Sequence, residues 1–421
     1  DYKNVSLKTA NAGEFIKFDV SKTVKQWYEG ATNYGLCLRA DDESAWAVAT
    51  FVAADNTNIS YRKPQLVVTY RSNKGLEGYW TTHEQNLGES GVGYVNDYTG
   101  NLVYIAPILS TTGNKMPVSL SLVYNGYQHG SAIDRPDPVG KGWRLNIQEK
   151  LTPITKSDEL STKLYNAGYR YIYSDADGTD HYFYYDEKNK KTLDEDGLGL
   201  KMTCQSNPDS DTGHTNFTIT DDNGNETFFR DGILTYTKDA YGNGIYYCYN
   251  DINFDTPDGK SWRPTNEVFN RLTRICRQNK GASVEYLAKL IYDADGRLLR
   301  VGDEAGKETK FYYDNTAGVR QLDYILCPDG TKLNYTYDTT GLNGAHDGEA
   351  NYGIWYTYHT DGTIDQFYEF TLDGGTHVPG DTVKCWNGKN RSSYRAFGAD
   401  QLAETDDDIR LEVVFDNWGR T

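Results

Sequence analysis

Apolar and polar residues alternate along most of this chain, and Asp, Asn and Gly interrupt the alternation at short intervals. A period of two belongs to strands with one face turned inward, and the interruptions carry turn chemistry. Pro117-Val118-Ser119-Leu120-Ser121-Leu122-Val123-Tyr124-Asn125 alternates without a break and predicts a half-buried strand. Between Tyr94 and Val103 two apolar runs flank Gly100-Asn101, which predicts a hairpin. Near the start of the chain the spacing changes. Val20, Val24 and Trp27 stand at i, i+4 and i+7 behind Asp19 or Ser21, the pattern of one short capped helix. Gly30 and Asn33 then lead into a strand whose Leu36 and Leu38 point inward. Pro64-Gln65-Leu66-Val67-Val68-Thr69-Tyr70 reads as a strand opened by proline, and Arg71 to Gly75 as a polar hinge.

From residue 165 onward the chain repeats itself. Tyr171-Ile172-Tyr173-Ser174-Asp175-Ala176-Asp177-Gly178 is one copy, and Leu290-Ile291-Tyr292-Asp293-Ala294-Asp295-Gly296-Arg297-Leu298-Leu299 is the clearest. Tyr182 to Asp186, Thr220 to Asn225, Lys238 to Asn243, Phe311 to Asp314, Tyr335 to Asp338 and Val414 to Thr421 are further, degenerate copies. The aspartates at 293, 314 and 338 lie 21 and 24 residues apart, a spacing of one hairpin per unit. In such a unit alternate aromatic rings pair across strands, the aspartate ends the strand and accepts from turn amides, and glycine supplies positive φ. A lone hairpin is marginal in water, so the units must pair edge to edge.

Tyr-x-Tyr-Asp-x-x-Gly-Arg-Leu resembles the YD repeat of Rhs proteins, teneurins and wall-associated proteins, over residues 76–421. That resemblance implies repeats wound into a hollow β-cage that encloses a C-terminal toxin or forms a surface shell. Gly140-Lys141-Gly142-Trp143 is similar to the motif leading into the first Rhs repeat. Phe18-Asp19-Val20-Ser21, Trp27, Tyr34-Gly35-Leu36-Cys37-Leu38 and Arg62-Lys63-Pro64-Gln65-Leu66-Val67-Val68-Thr69-Tyr70 look like the C-terminal half of a DNRLRE domain, a β-sandwich resembling carbohydrate-binding modules. The chain starts without Met or signal peptide and stops inside a repeat at Arg420-Thr421, so a piece of a longer protein is expected.

Composition sharpens this picture. Thirty-five tyrosines, 14 phenylalanines and 8 tryptophans argue against disorder, and 41 glycines serve the turns. With 43 basic against 60 acidic residues the net charge is −17, which disfavours nucleic acid and anionic membranes as partners. No apolar run reaches the roughly 20 residues of a membrane span. Cys37, Cys204, Cys248, Cys276, Cys327 and Cys385 lie far apart with no CxxC, so free, buried thiols are expected rather than a zinc ribbon.

Candidate chemistry is sparse. Asp175-Ala176-Asp177-Gly178 and Asp293-Ala294-Asp295-Gly296 resemble the opening of a calcium loop, with Asp186 and Glu304 at position 12, but Arg297 puts a cation where a ligand belongs. Hairpin turns explain both segments better. The 60 acidic residues will include chance pairs at glycosidase spacing, and no feature selects one. His83, His129, His181, His214, His346, His359 and His377 form no HExxH and accompany no GxSxG. Asp137-Pro138-Val139-Gly140 is similar to the Rhs self-cleavage motif, but it precedes the repeats and Lys141 replaces Leu, so a turn is expected. Trp46, Trp80, Trp262, Trp355 and Trp386 could stack on sugars, although such aromatics serve strand pairing more often.

The expectations are therefore these. The fold is all-β, a partial β-sandwich followed by a YD-repeat sheet that curls into part of a hollow cage. Residues 1–72 form the DNRLRE-like part, 76–150 a strand-rich, plug-like segment, and 151–421 the repeats. The chain is a non-enzymatic scaffold of a secreted or cell-wall-associated bacterial protein, with no catalytic residue, cofactor or metal. Its partner is a C-terminal segment of the same longer protein or a wall component, and a glycan-binding adhesin is the alternative.

Overall fold

A computed structural model describes residues 15–16, 18, 20–28, 31–40, 44, 48–55, 63–64, 66, 75–111, 115–130, 138–186, 191–195, 197–205, 215–249, 271–314, 321–388, 391–416 and 420–421. The chain divides into two compact units, 1–71 and 72–421. In the first, α1 (Ser21–Tyr28) forms where the spacing predicts it, with Val24 and Trp27 half-buried. The strand expected at 34–39 is not formed: Tyr34 is 91% exposed, and Leu36 and Leu38 face solvent. An alternating segment needs a ladder partner to become a strand, and no partner for it lies among the described residues. Asp19, Gly30, Trp46, Gln65, Val67 to Tyr70 and the hinge residues Arg71 to Lys74 lie outside the described residues.

The second unit is nearly all strand. A five-stranded antiparallel sheet runs in sequence order through β1 (Thr82–Asn86), β2 (Val92–Asn96), β3 (Leu102–Ser110), β4 (Ser119–Asn125) and β5 (Trp143–Leu145). The hairpin predicted around Gly100 joins β2 to β3, with the Asn96 side chain accepting from the amides of Tyr98 and Thr99. β4 departs from expectation: all of it from Leu120 to Asn125 is buried, so both faces are covered. The rest of the unit packs on Leu120, Leu122 and Tyr124 in one apolar cluster.

That remainder is one continuous antiparallel ribbon of successive hairpins. It begins with β6 (Lys150–Pro153), β7 (Tyr169–Ser174), β8 (Asp180–Asp186), β9 (Lys191–Asp194), β10 (Lys201–Gln205), β11 (Asn216–Thr220), β12 (Glu226–Arg230) and β13 (Ile233–Lys238). Ile233 of β13 then pairs with Lys150 of β6, and the Leu151 amide donates to the Gly232 carbonyl at 2.9 Å. The first eight strands thus close a ring. Tyr171 meets Phe217 at 5.3 Å and Tyr173 meets Phe229 at 5.8 Å, contacts between strands that are not ladder neighbours and so cross the ring's interior. Eight strands leave an interior that side chains just fill.

Beyond the ring the ribbon continues through β14 (Gly244–Tyr249), β15 (Leu272–Gln278), β16 (Glu285–Tyr292), β17 (Leu298–Asp303), β18 (Glu308–Asp314), β19 (Gln321–Leu326) and β20 (Lys332–Tyr337). β21 (Leu342–Asp347), β22 (Tyr352–Tyr358), β23 (Ile364–Asp373), β24 (Thr376–Asn387), β25 (Arg391–Ala396) and β26 (Ile409–Val414) complete it. Here five tyrosines near strand ends have a particular job. Tyr249, Tyr292, Tyr313, Tyr337 and Tyr358 each sit where the ladder register slips by one residue. A bulge of this kind bends the strand and sharpens its twist. The hydroxyls of Tyr249, Tyr292, Tyr313 and Tyr358 donate to the carbonyls of Leu234, Leu272, Leu298 and Leu342 at 2.9, 2.9, 2.7 and 2.5 Å. Tyr292, for example, stands opposite Leu298 in its own hairpin yet bonds to Leu272 of the hairpin before. Each bulge is thereby clipped to its neighbour.

The same residues hold the five-stranded sheet against the ribbon. Trp143 Nε1 donates to the Tyr337 hydroxyl at 2.7 Å, and the Tyr124 hydroxyl accepts from the Leu342 amide at 2.9 Å. Pro138 and Val139 do more than turn the chain: Val139 is fully buried, and the Pro138 carbonyl accepts from the Leu298 amide at 2.8 Å and lies 3.2 Å from the Tyr313 hydroxyl. At the far end, buried Asp97 takes the Tyr394 hydroxyl at 2.7 Å and lies 2.9 Å from His83 Nδ1. Burial works against its charged form, but hydrogen bonds from His83, Thr81 and Tyr394 hold the carboxyl below its usual range. One apolar cluster runs from Leu102, Tyr104 and Leu122 through Phe183 and Phe229 to Leu290, Ile354 and Phe367.

Removing one clip should therefore cost more than one hydroxyl at the surface. Tyr292→Phe is expected to lower unfolding stability by about 1–2 kcal/mol, because the Leu272 carbonyl loses its donor. Tyr286→Phe, at a ring that is 49% exposed, should change it by less than about 0.5 kcal/mol. Urea titrations of the two variants read the difference.

Candidate functional site

Four aspartates follow one rule. At Asp221, Asp239, Asp293 and Asp416, Oδ1 accepts the amide four residues on, at 2.8, 2.8, 2.8 and 3.0 Å. In each, Oδ2 takes the side chain of that same residue: Asn225 Nδ2 at 2.8 Å, Asn243 Nδ2 at 2.6 Å, Arg297 Nε at 2.9 Å and Arg420 Nε at 2.8 Å. Arg297, the cation out of place in a calcium loop, is here the partner of Asp293. Gly224, Gly242 and Gly296 supply φ of +81°, +87° and +87° within these turns.

The turn between β7 and β8 breaks the rule. Asp175 Oδ1 again accepts the amides of Asp177 and Thr179, at 3.1 and 3.0 Å. The residue four on is Thr179, however, and its hydroxyl donates to Asp177 Oδ1 instead. Asp175 Oδ2 faces His181 Nε2 at 3.1 Å, and Glu77 Oε1 lies 3.6 Å from the same nitrogen. These three ligand atoms lie within 4.8 Å of one another, and Glu77 and His181 are buried.

The turn is also where the five-stranded sheet's leading segment meets the ring. The Leu76 amide donates to Asp177 Oδ2 at 2.6 Å, Asn125 Nδ2 to the Asp177 carbonyl at 3.1 Å, and Gln128 Nε2 to the Gly178 carbonyl at 3.3 Å. Gly75 passes so close that a Cβ there would overlap Thr179 and Asp177. Further carboxylates stand around it. Tyr173 donates to Glu149 Oε2 at 2.7 Å, and Ser174 to Asp180. Burial pushes Glu149 up to about 7. Burial and the neighbouring Asp175 charge push Asp177 up to about 7. Asp175 itself feels the same burial, but hydrogen bonds from His181 and Asp177 hold its carboxyl below the usual range.

No protein-family model matches the chain, and no curated protein matches it in sequence. Among solved structures it is similar to a chain of the Photorhabdus luminescens Tc holotoxin pore, at 14% identity over 74% of this chain and 14% of that one, with a TM-score of 0.28. A chain of the TcdB2-TccC3-Cdc42 crystal structure aligns at 12% identity over 76% of this chain and 15% of that one, with a TM-score of 0.29. The N-terminal domain of effector protein SpvB from Salmonella typhimurium aligns at 9% identity over 64% of this chain and 98% of that one, with a TM-score of 0.28. The chain thus spans about one seventh of the first two.

The other residues singled out in the sequence are scattered. Trp80 stacks near Tyr98 at 5.9 Å, Trp355 meets His377 at 5.2 Å, and Trp386, 40% exposed, carries Arg395 over its ring. Trp46, Trp262, His214, Asp137 and Asn417 to Gly419 lie outside the described residues. All six cysteines are unpaired; Cys248, Cys276 and Cys385 are buried, whereas Cys37 and Cys204 are exposed, against the expectation of burial. The sequence singled out no role for Glu77 and counted His181 only among scattered histidines. The available signal was Thr179, which stands where the four turns compared above carry Asn or Arg.

Glu149 yields a pH test. Its folded carboxyl titrates about 7 against 4.5 for the free group, so the folded chain keeps a proton that the unfolded chain has released. Stability attributable to it must fall as pH rises from about 4.5 to 7. Glu149→Gln should be more stable than the parent at pH 8 by about 1–3 kcal/mol and equal to it at pH 4, read as thermal midpoints with EDTA present. A variant weaker than the parent at pH 8 would contradict the assignment.

Proposed function

We propose that the chain is a structural shell segment of a secreted bacterial Rhs-type protein, without a catalytic step of its own. Its task is to enclose or display a C-terminal segment of the same longer polypeptide. The observation that carries this reading is the contact between the repeat ribbon and the five-stranded sheet, whose strand β4 is buried on both faces: the ribbon packs on an inner element and clips itself hairpin to hairpin while doing so. The resemblance of Tyr292-Asp293-Ala294-Asp295-Gly296-Arg297-Leu298 to a YD repeat supports the same reading. Stiffness suits a wall, and the aspartates are spent on turns, where their oxygens are already taken by backbone amides and side chains. No helix among the described residues is long and apolar enough to cross a membrane.

The test is protection. The polypeptide encoded by the native reading frame, with its downstream segment, is exposed to a broad-specificity protease. The reading expects that segment to survive at least tenfold longer than when produced alone. Equal cleavage rates would refute enclosure.

A further inference from the structure

We propose that Glu77, Asp175 and His181 bind one divalent transition-metal ion, which ties the leading segment of the five-stranded sheet to the first hairpin of the ring. The geometry carries the case. Around His181 Nε2 stand two carboxylate oxygens, at 3.1 and 3.6 Å. One imidazole N–H points at a single acceptor. The three ligand atoms lie within 4.8 Å of one another, and a tetrahedral shell with bonds of about 2.1 Å, whose edges are about 3.4 Å, is reached by a small inward shift of the Glu77 carboxylate.

The carboxylate is aimed as a ligand should be. Two backbone amides hold Asp175 Oδ1, which turns Oδ2 toward the imidazole and fixes it there, the part outer-shell bonds play around metals. At the four aspartates compared above, Oδ2 is closed off by the side chain four residues on. Only in this one of the five is that donor replaced by a histidine two residues further on, joined by a glutamate from a distant part of the chain.

Further carboxylates, Glu149, Asp177 and Asp180, stand around the three, buried or half-buried, and Arg144 faces them. One imidazole with two carboxylates is the donor set of zinc or manganese, not the all-oxygen shell of calcium or magnesium.

The test uses the whole chain, stripped with chelator and dialysed into metal-free buffer. Titration with ZnCl₂ or MnCl₂ should load one ion per chain, counted by elemental analysis, and raise the thermal midpoint by several degrees. His181→Gln and Glu77→Gln should each weaken that binding at least tenfold, whereas Asp293→Asn, in a turn of the ordinary kind, should not. Two conservative variants guard against loss of one to misfolding, and each stripped variant should still show a cooperative melt. The proposal is overturned if the parent binds neither ion at stoichiometry, if calcium alone binds, or if both variants bind as the parent does. The cluster is then an ion pair of protonated His181 with its two carboxylates.

Discussion

The bond from a strand-end tyrosine hydroxyl to a carbonyl of the preceding strand, made by Tyr249, Tyr292, Tyr313 and Tyr358, is the interaction on which the wall depends. A hydrogen-bonded ladder alone would hold the ribbon together but would not say how sharply it bends. Register slips at Tyr249, Tyr292, Tyr313 and Tyr358 supply the bend, and each slip disturbs the ladder locally. The clips to Leu234, Leu272, Leu298 and Leu342 fix consecutive bends relative to one another. Tyrosine suits this place for two reasons: its ring packs in or against the apolar cluster, and its hydroxyl reaches past the ring to a backbone acceptor.

The five-stranded sheet is the form around which that curvature closes. Where the next clip in the series would fall, Tyr337 instead meets Trp143 of the inner sheet, and Tyr124 reaches out to the Leu342 amide. Inner sheet and wall therefore share one set of polar contacts as well as one apolar cluster. Contacts at both ends, Asp97 with Tyr394 and the Asp175 turn with Leu76, fix the inner sheet along its length rather than at a point.

Much of this could be read from the chain itself. The Tyr–Asp units announce hairpins, and the aspartates accept turn amides as their position before Asx and Gly residues implies. α1 is written in the spacing of Val20, Val24 and Trp27. Other features depend on partners that no local pattern names. Ser119 to Asn125 alternates like a half-buried strand, yet Ser121 and Val123 are buried as well, on the face the alternation gives to solvent. The register slips lie between strands, so Tyr292 looks like any strand tyrosine until Leu298 stands opposite it. Ring closure rests on Ile233 opposite Lys150, a pairing of residues far apart in sequence. Glu77, Asp175 and His181 are likewise brought together only by the fold.

If the clips form one connected series, neighbouring clips must feel one another. A double-mutant cycle of Tyr292→Phe and Tyr313→Phe measures this directly, since Tyr313 bonds to the carbonyl of Leu298, the residue opposite Tyr292. The account predicts a coupling free energy of about 0.5 kcal/mol or more between them. Strict additivity would contradict it, and would leave the tyrosines as separate ornaments on a ribbon bent by something else.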